Sequence, residues 1–271
     1  MVVQHNMQAV NTNRMLGQNV KAVTKSTEKL SSGYQVNRAA DDAAGLSISE
    51  KMRNQIRGLN QAVKNSEDGM SLIQTAECNM NEIHSILQRM GELAIKARND
   101  VNATEDRQTI QDEITQLKQE ICSITKKAEF NGTKLLDGTM SSGKNLQVGA
   151  NQGELLKIAI SGTSLKKLGL TNTKVTDAAT ASAAIAQIQS AIKNVSAQRS
   201  LLGAIQNRLE YTINNLENYS ENLTSAESQI RDTDMATEMV TYSKNNILQQ
   251  AAQSMLAQAN QSNQSVLSVL Q

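Results

Sequence analysis

The sequence predicts a mainly α fold: an antiparallel rod of long helices, a small β-hairpin region, and a coiled-coil base formed by both termini. Three observations predict it. From Met52 to Ala94 apolar residues recur at alternating spacings of three and four, and nine of the thirteen positions on that line are apolar. A second line of the same kind runs from Ala181 to Ile230. The 271 residues contain no Pro, no Trp and one Phe, which fits uninterrupted helices packed through Leu, Ile, Val, Met and Ala. At ~1.5 Å per residue the first line alone spans roughly 64 Å. A sphere of this chain length has a diameter of only ~48 Å, so a rod is expected.

The elements follow in order. Residues 1–30 form a helix with a thin apolar line, Val3, Met7 and Val10, then after a slip near Asn13, Leu16, Val20, Val23 and Leu30. So narrow a line buries little and needs a partner. Gly33 ends this helix, and Gly45 precedes the next, with Asp41 and Asp42 near its start, where carboxylates suit the helix dipole. The Met52–Ala94 line reads Met52, Ile56, Leu59, Val63, Ser66, Met70, Ile73, Glu77, Met80, His84, Leu87, Gly91, Ala94. Asn99-Asp100 turns the chain, and Thr104-Glu105-Asp106 opens a third helix along Ile110, Ile114, Leu117, Ile121, Ile124 and Ala128. The short connection makes these two helices an antiparallel hairpin.

From Asn131 to about residue 170 glycines and Asn-Gly and Asp-Gly turns interrupt the helical pattern, with strand-like runs at Leu146–Val148 and Leu156–Ile160. Asp177 precedes the second long helix, whose line reads Ala181, Ile185, Ile188, Ile192, Val195, Arg199, Leu202, Gln206, Leu209, Ile213, Leu216 and onward to Ile230. It pauses at Arg231-Asp-Thr-Asp234. The last helix resumes as Leu248, Ala252, Met255, Ala259, Ser262, Val266 and Val269. The two thin terminal helices are natural partners, and their further burial must come from other copies of the chain.

Composition excludes several classes. With 27 basic and 26 acidic residues mixed along the chain there is no electrostatic case for nucleic acid or an anionic membrane. No apolar run is long enough to insert in a bilayer. Met1–Asn6 has neither a basic nor an apolar region of the kind a Sec-type signal needs. The two histidines, His5 and His84, are far apart, and no catalytic triad, HExxH, CxxC or phosphate-loop pattern is present. No enzyme activity, cofactor or metal is expected. Cys78 and Cys122 read as small, buried or half-buried residues. Met7, Met15, Met52, Met70, Met80, Met90, Met235, Met239 and Met255 read as packing residues on the helical lines.

The string Ser31-Ser-Gly-Tyr-Gln-Val-Asn-Arg-Ala-Ala-Asp-Asp-Ala-Ala-Gly-Leu-Ser-Ile-Ser-Glu-Lys-Met-Arg53 resembles the signature of bacterial flagellin, the subunit of the flagellar filament. Val3-Gln-His-Asn6 with Asn13-Arg-Met-Leu16 resembles its N-terminus. Leu248-Gln-Gln-Ala251, Leu256-Ala-Gln-Ala-Asn-Gln261 and Val266-Leu267 resemble its C-terminus. The resemblance covers about residues 1–140 and 200–271 and implies a short form without large variable outer domains.

It also implies an organisation: a filament-core helix and connecting spoke at 1–43, a helical rod at 44–232 with a β-rich tip at about 131–170, and a second filament-core helix at 233–271. Val3, Val10, Leu16 and Val20 are expected to pack against Met255, Val266, Leu267 and Leu270 within a subunit. Asn37, Arg38, Asp41 and Asp42 are expected between subunits. Further implied partners are other copies of the chain, an export chaperone on the C-terminal helix, and hook–filament junction and cap proteins. The export route would be the flagellum's own channel. Gln88, Arg89, Leu93 and Glu113 fall where Toll-like receptor 5 grips stimulatory flagellins, as a charge, an apolar anchor and an acid on exposed turns. Gly91 stands where many such flagellins carry Arg, which implies a weaker contact. The rival reading is a cytoplasmic coiled-coil signalling or scaffold protein. Such a hairpin would place its tightest turn mid-sequence, whereas here the middle is Gly-rich and β-like.

Overall fold

The computed structural model describes the backbone of residues 6–269 and the side chains of 6–262. Five helices carry the chain: α1 (Met7–Ser32), α2 (Ala43–Arg98), α3 (Thr104–Lys127), α4 (Ala178–Arg231) and α5 (Met235–Val269). Between α3 and α4 lie two antiparallel hairpins, β1 (Glu129–Phe130) with β2 (Thr133–Lys134), and β3 (Lys144–Gln147) with β4 (Leu155–Ile158). The chain divides into two compact units, residues 56–220 and residues 1–55 with 221–271.

The central unit is built on α2. Its fully buried line is Leu59, Ala62, Ser66, Gly69, Ile73, Ala76, Met80, Ile83, Leu87, Met90, Ala94 and Ala97. The spacing alternates three and four without a slip, a seven-residue repeat that gives a left-handed coiled-coil seam. On α4 the corresponding buried line is Ala181, Ala184, Ile188, Ala191, Val195, Leu202 and Leu209. The sequence places one half of each repeat correctly and the other half one residue late. Val63, Met70, Glu77, His84 and Gly91 are half-buried flanks, and the core positions beside them are Ala62, Gly69, Ala76, Ile83 and Met90. Ala62, Gly69 and Ala76 are small, so the larger Val63 and Met70 beside them draw the apolar line one residue late.

On α3 the predicted line holds, with Ile110, Ile114, Ile121 and Ala128 buried and Leu117 and Ile124 half-buried. The α2–α3 turn is closed by Arg107, whose Nε donates to the Ala97 carbonyl at 3.1 Å, and by Asp106, whose Oδ2 accepts from the Ala103 N–H at 3.2 Å. The strands follow the predicted runs, shifted by one or two residues toward their N-termini. In β4, Leu156 and Ile158 are buried while Leu155 and Lys157 are exposed, the alternation of a half-buried strand.

In the terminal unit α1 packs antiparallel on α5. Asn6 caps α1, its Oδ1 accepting from the Ala9 N–H at 3.0 Å, while its amide donates to the Ala259 carbonyl at 2.9 Å. At the other end Lys29 Nζ lies 3.8 Å from Glu238 Oε2. As predicted, Gly33 ends α1, with φ of 75° and its N–H bonded to the Lys29 carbonyl at 2.8 Å. The second helix starts slightly earlier than expected. Asp42 accepts from the N–H groups of Ala44 and Gly45 at 3.0 and 2.9 Å, so Gly45 lies inside the first turn.

Candidate functional site

The inward faces of α1 and α5 are not the apolar ones. On α1 the half-buried or buried line is Ala9, Thr12, Leu16, Asn19, Val23, Ser26 and Leu30. On α5 it is Glu238, Tyr242, Asn245, Gln249, Ala252, Leu256 and Ala259. Both repeat every seven residues, and both are made mostly of small and polar side chains. Apart from Leu16, Val23, Leu30 and Leu256, the large apolar side chains point mostly away. Met7 is 70% exposed, Val10 62% and Met255 61%, and Met15, Val20, Met235, Met239, Val240, Ile247 and Leu248 are exposed as well.

This corrects two expectations. Val10, Val20 and Met255 are exposed; among the described members of the expected set only Leu16 lies on the inward line. Val3 and Leu270, and the side chains of Val266 and Leu267, lie outside the described residues. Nor are Met7, Met15, Met235, Met239 and Met255 core residues; Met80 and Met90 are, and Met52 and Met70 are half-buried. The alternative spacing of Ala, Thr and Asn was the available signal for the true seam. It is weak, because none of these residues is apolar enough to mark a face.

The connection between α1 and α2 is tied to the end of α4. The Gln35 N–H donates to the Arg231 carbonyl at 2.7 Å and the Thr233 N–H to the Gly33 carbonyl at 3.0 Å. The Arg231 guanidinium lies over the Tyr34 ring, 4.7 Å from its centre, and its Nη1 reaches Glu50 Oε1 at 2.7 Å. That contact, joined by Arg53, holds the Glu50 carboxyl below the ordinary carboxylate range. Val36, in the same connection, is buried. Sequence reading passed over Arg231 and Tyr34, whose roles depend on contacts across roughly two hundred residues of chain.

The four residues expected between subunits are all engaged within the chain. Asn37 donates to Ser32 Oγ at 2.7 Å, and Arg38 Nε to Glu28 at 2.8 Å. Asp41 pairs with Lys25 at 2.8 Å, which lowers the Asp41 pKa, and Asp42 caps α2. Asp234 caps α5 in the same way, accepting from the Ala236 and Thr237 N–H groups at 2.9 and 3.2 Å; those bonds, with the Thr237 hydroxyl, lower its pKa.

On the central unit, Arg89, Leu93 and Glu113 line one groove between α2 and α3, with Glu92, Lys96 and Asp106. The Arg89 guanidinium forks onto Glu113 Oε1 at 2.9 and 3.1 Å and reaches Glu92 at 3.3 Å. These carboxylates raise the Arg89 pKa, Glu113 most. Leu93 is only 3% exposed, so it forms the floor of the groove and not the exposed anchor expected. Gln88 lies on the opposite flank, against α4, bonded to His84 Nε2 at 3.1 Å and sharing a shallow apolar groove with Gly91, Ile95, Ile185 and Ile192. Cys78 is exposed, contrary to expectation, and Cys122 half-buried; both are free thiols. Among the described residues no cluster of His, Cys, Asp and Glu could hold a metal ion. Likewise no described helix is long and apolar enough to cross a membrane.

Long heptad-paired helices, with a terminal pair that turns its apolar side chains outward, define a self-associating helical subunit. The sequence pattern of the bacterial flagellin N-terminal helical region matches residues 3–141, and that of the C-terminal helical region matches residues 185–270. The flagellin of Halalkalibacterium halodurans is 53% identical over 272 residues, covering all of both chains. That of Bacillus subtilis is 50% identical over 305 residues, again covering all of both. The crystal structure of Bacillus cereus flagellin is 34% identical and superposes with a TM-score of 0.51, covering 56% of this chain and 88% of that one. The chain belongs to the bacterial flagellin family. It is a short-form flagellin, a structural subunit of the extracellular flagellar filament.

Proposed function

We propose that the chain polymerises through the outward faces of α1 and α5. The observation that carries this reading is the row of exposed apolar side chains on both helices, Met7, Val10, Met15 and Val20 on one and Met239, Val240, Ile247, Leu248 and Met255 on the other. Large apolar side chains left exposed in this number on two paired helices are unfavourable in water and mark an interaction surface. In this reading the terminal helices 1–43 and 233–271 form the filament core, and 44–232 forms the surrounding shell. Val10, Val20 and Met255 meet neighbouring copies, while Leu16 holds α1 on α5 and Val3, Val266, Leu267 and Leu270 pack within the subunit, as the family resemblance implies. Asn37, Arg38, Asp41 and Asp42 act between subunits by fixing the connection, through the internal bonds described above.

Before assembly the same faces need cover. An export chaperone on the C-terminal helix, passage through the flagellar channel, and contact with hook–filament junction and cap proteins complete the proposed cycle. Receptor recognition is a separate reading. The exposed Arg89–Glu113 pair supports a contact surface for Toll-like receptor 5, with Leu93 supporting it from below and Gln88 offering a second contact on the flank toward α4.

The test of polymerisation is seeded assembly of heat-dissociated protein, viewed by negative-stain electron microscopy. The intact chain forms long filaments. A chain lacking residues 235–271, and the double variant Val10→Asp/Met255→Asp, remain unpolymerised with the central helices folded by circular dichroism. Filaments from either variant overturn the proposal.

A further inference from the structure

The near-neutral net charge conceals a segregated one. Between Lys118 and Lys174 there are nine lysines and four acids, whereas the whole chain carries a net charge of only +1. Three of those four acids are engaged locally. Glu129 pairs with Lys134 at 2.5 Å. Asp137 accepts from the Thr139 N–H and hydroxyl at 2.8 and 2.7 Å. Glu154 accepts from the Asn151 N–H and side-chain amide at 3.0 and 3.2 Å.

The lysines are turned outward. Lys126, Lys127, Lys144, Lys157, Lys166, Lys167 and Lys174 are exposed, and among the described residues none of them is in an ion pair. The fold gathers them. Lys144 Nζ reaches Thr133 Oγ1 at 3.2 Å, which brings β3 beside the β1–β2 hairpin, and Lys157 lies across Gly143. The segment after β4 runs back along α3, fixed where Lys118 Nζ donates to the Thr171 and Thr173 carbonyls at 3.1 and 3.3 Å. It holds Lys174, between Thr173 and Val175, beside α3, with Lys166 and Lys167 earlier in the same segment.

We infer that this lysine-rich surface binds anionic polysaccharide, a flexible chain bearing sulfate or carboxylate groups. Lysine ammonium groups are point charges that follow diffuse negative charge without demanding one geometry. The stretch holds no Arg for planar, bidentate phosphate or base recognition, and its one aromatic, Phe130, is half-buried, so the stacking that single-stranded nucleic acid needs is missing. The exposed apolar side chain beside the lysines is Leu155, too little for insertion in a lipid surface. The family places the chain outside the cell, where such polysaccharides are met.

The experiment uses the full-length monomer on immobilised heparin, with immobilised neutral dextran as blank and soluble polygalacturonate and polyphosphate as competitors. Binding to heparin at 0.15 M salt is expected, weakening steeply as salt rises. At roughly a fivefold contribution per lysine near an anionic surface, Lys144→Gln/Lys157→Gln/Lys167→Gln binds about a hundredfold more weakly. The charge-matched control Lys51→Gln/Lys96→Gln/Lys193→Gln, outside residues 118–174, binds as the native chain does. Competition by polygalacturonate supports the polysaccharide assignment, whereas competition by polyphosphate alone overturns it. No binding at 0.15 M salt, or equal losses in the two triple variants, overturns the surface itself. Both triple variants are expected to polymerise, which separates this outcome from the assembly proposal.

Discussion

Three glycines of α2 look alike in the sequence and differ in what surrounds them. A Cβ on Gly58 would sit 2.9 Å from the Ala150 Cβ and 3.3 Å from its Cα, so the β3–β4 connection rests directly on the helix backbone. A Cβ on Gly69 would sit 2.5 Å from Leu146 Cδ2, at the far end of a movable side chain. On Gly91 it would meet only Ile188 Cγ2, at 3.8 Å, an ordinary contact. Gly91→Ala is therefore expected to stabilise the monomer by about 0.5–1 kcal/mol, through helix propensity and reduced freedom of the unfolded chain. Gly58→Ala is expected to destabilise it by about 1–3 kcal/mol, because backbone must move. Urea unfolding midpoints of the two variants check both signs. Arg89 is a different case, exposed and paired with an exposed acid. Arg89→Ala should leave the same midpoint within about 0.5 kcal/mol. A loss of receptor activation in a reporter assay without a stability change would then belong to recognition alone.

At the scale of elements, much of the fold is legible in the sequence and the reason for the rest is physical. The helices, the Gly33 stop, the α2–α3 hairpin and the strand runs all follow from apolar spacing and turn chemistry. The register of the long helices was half readable. Leu59, Ile73, Met80 and Leu87 announce one side of the seam, but Ala62, Gly69 and Ala76 on the other side are chosen for small size and leave no apolar signal. The terminal helices show the limit more sharply. Most of their visible apolar residues mark the face a single chain leaves exposed, and the α1–α5 seam mixes a few of them, Leu16, Val23, Leu30 and Leu256, with small and polar residues such as Ala, Thr, Asn and Ser. The Arg231 site was unreadable for another reason: Tyr34, Glu50 and Arg231 meet only once α2, α4 and the connection are in place.

That site carries its own expectation. The Arg231 side chain is 12% exposed, stacks on Tyr34 and forms an ion pair with Glu50. Lysine cannot reproduce a planar fork lying over a ring. Arg231→Lys should therefore speed amide hydrogen exchange through residues 33–42 while leaving the protected amides of the central unit unchanged. Equal exchange in the native chain and the variant would show that the connection is held by its backbone bonds alone.

At the scale of the molecule, the terminal and central units respond differently to acid. The central seam of α2 and α4 is lined almost wholly by apolar side chains, and the depressed carboxyls of the central unit, Asp137 and Glu154, lie in the segment between α3 and α4. In the terminal unit, Asp41 beside Lys25, Glu50 beside Arg231 and Asp234 at the start of α5 all have carboxyls below their ordinary values. A carboxyl depressed in the folded state contributes stability above its unfolded pKa, about 4, and loses it as pH falls through the folded value. The sign is thus loss with acid, and the window opens near pH 4 and extends below it. Filaments titrated downward from pH 6 are expected to dissociate across this window while much of the far-ultraviolet helical signal persists, since the heptad seam of α2 and α4 remains. Light scattering and circular dichroism on the same sample follow the two events. Dissociation and loss of helix at one common pH would mean that the two units melt as one. Filaments that persist at pH 2.5 would mean that these carboxylates do not govern assembly, and that the outward apolar faces hold the polymer without them.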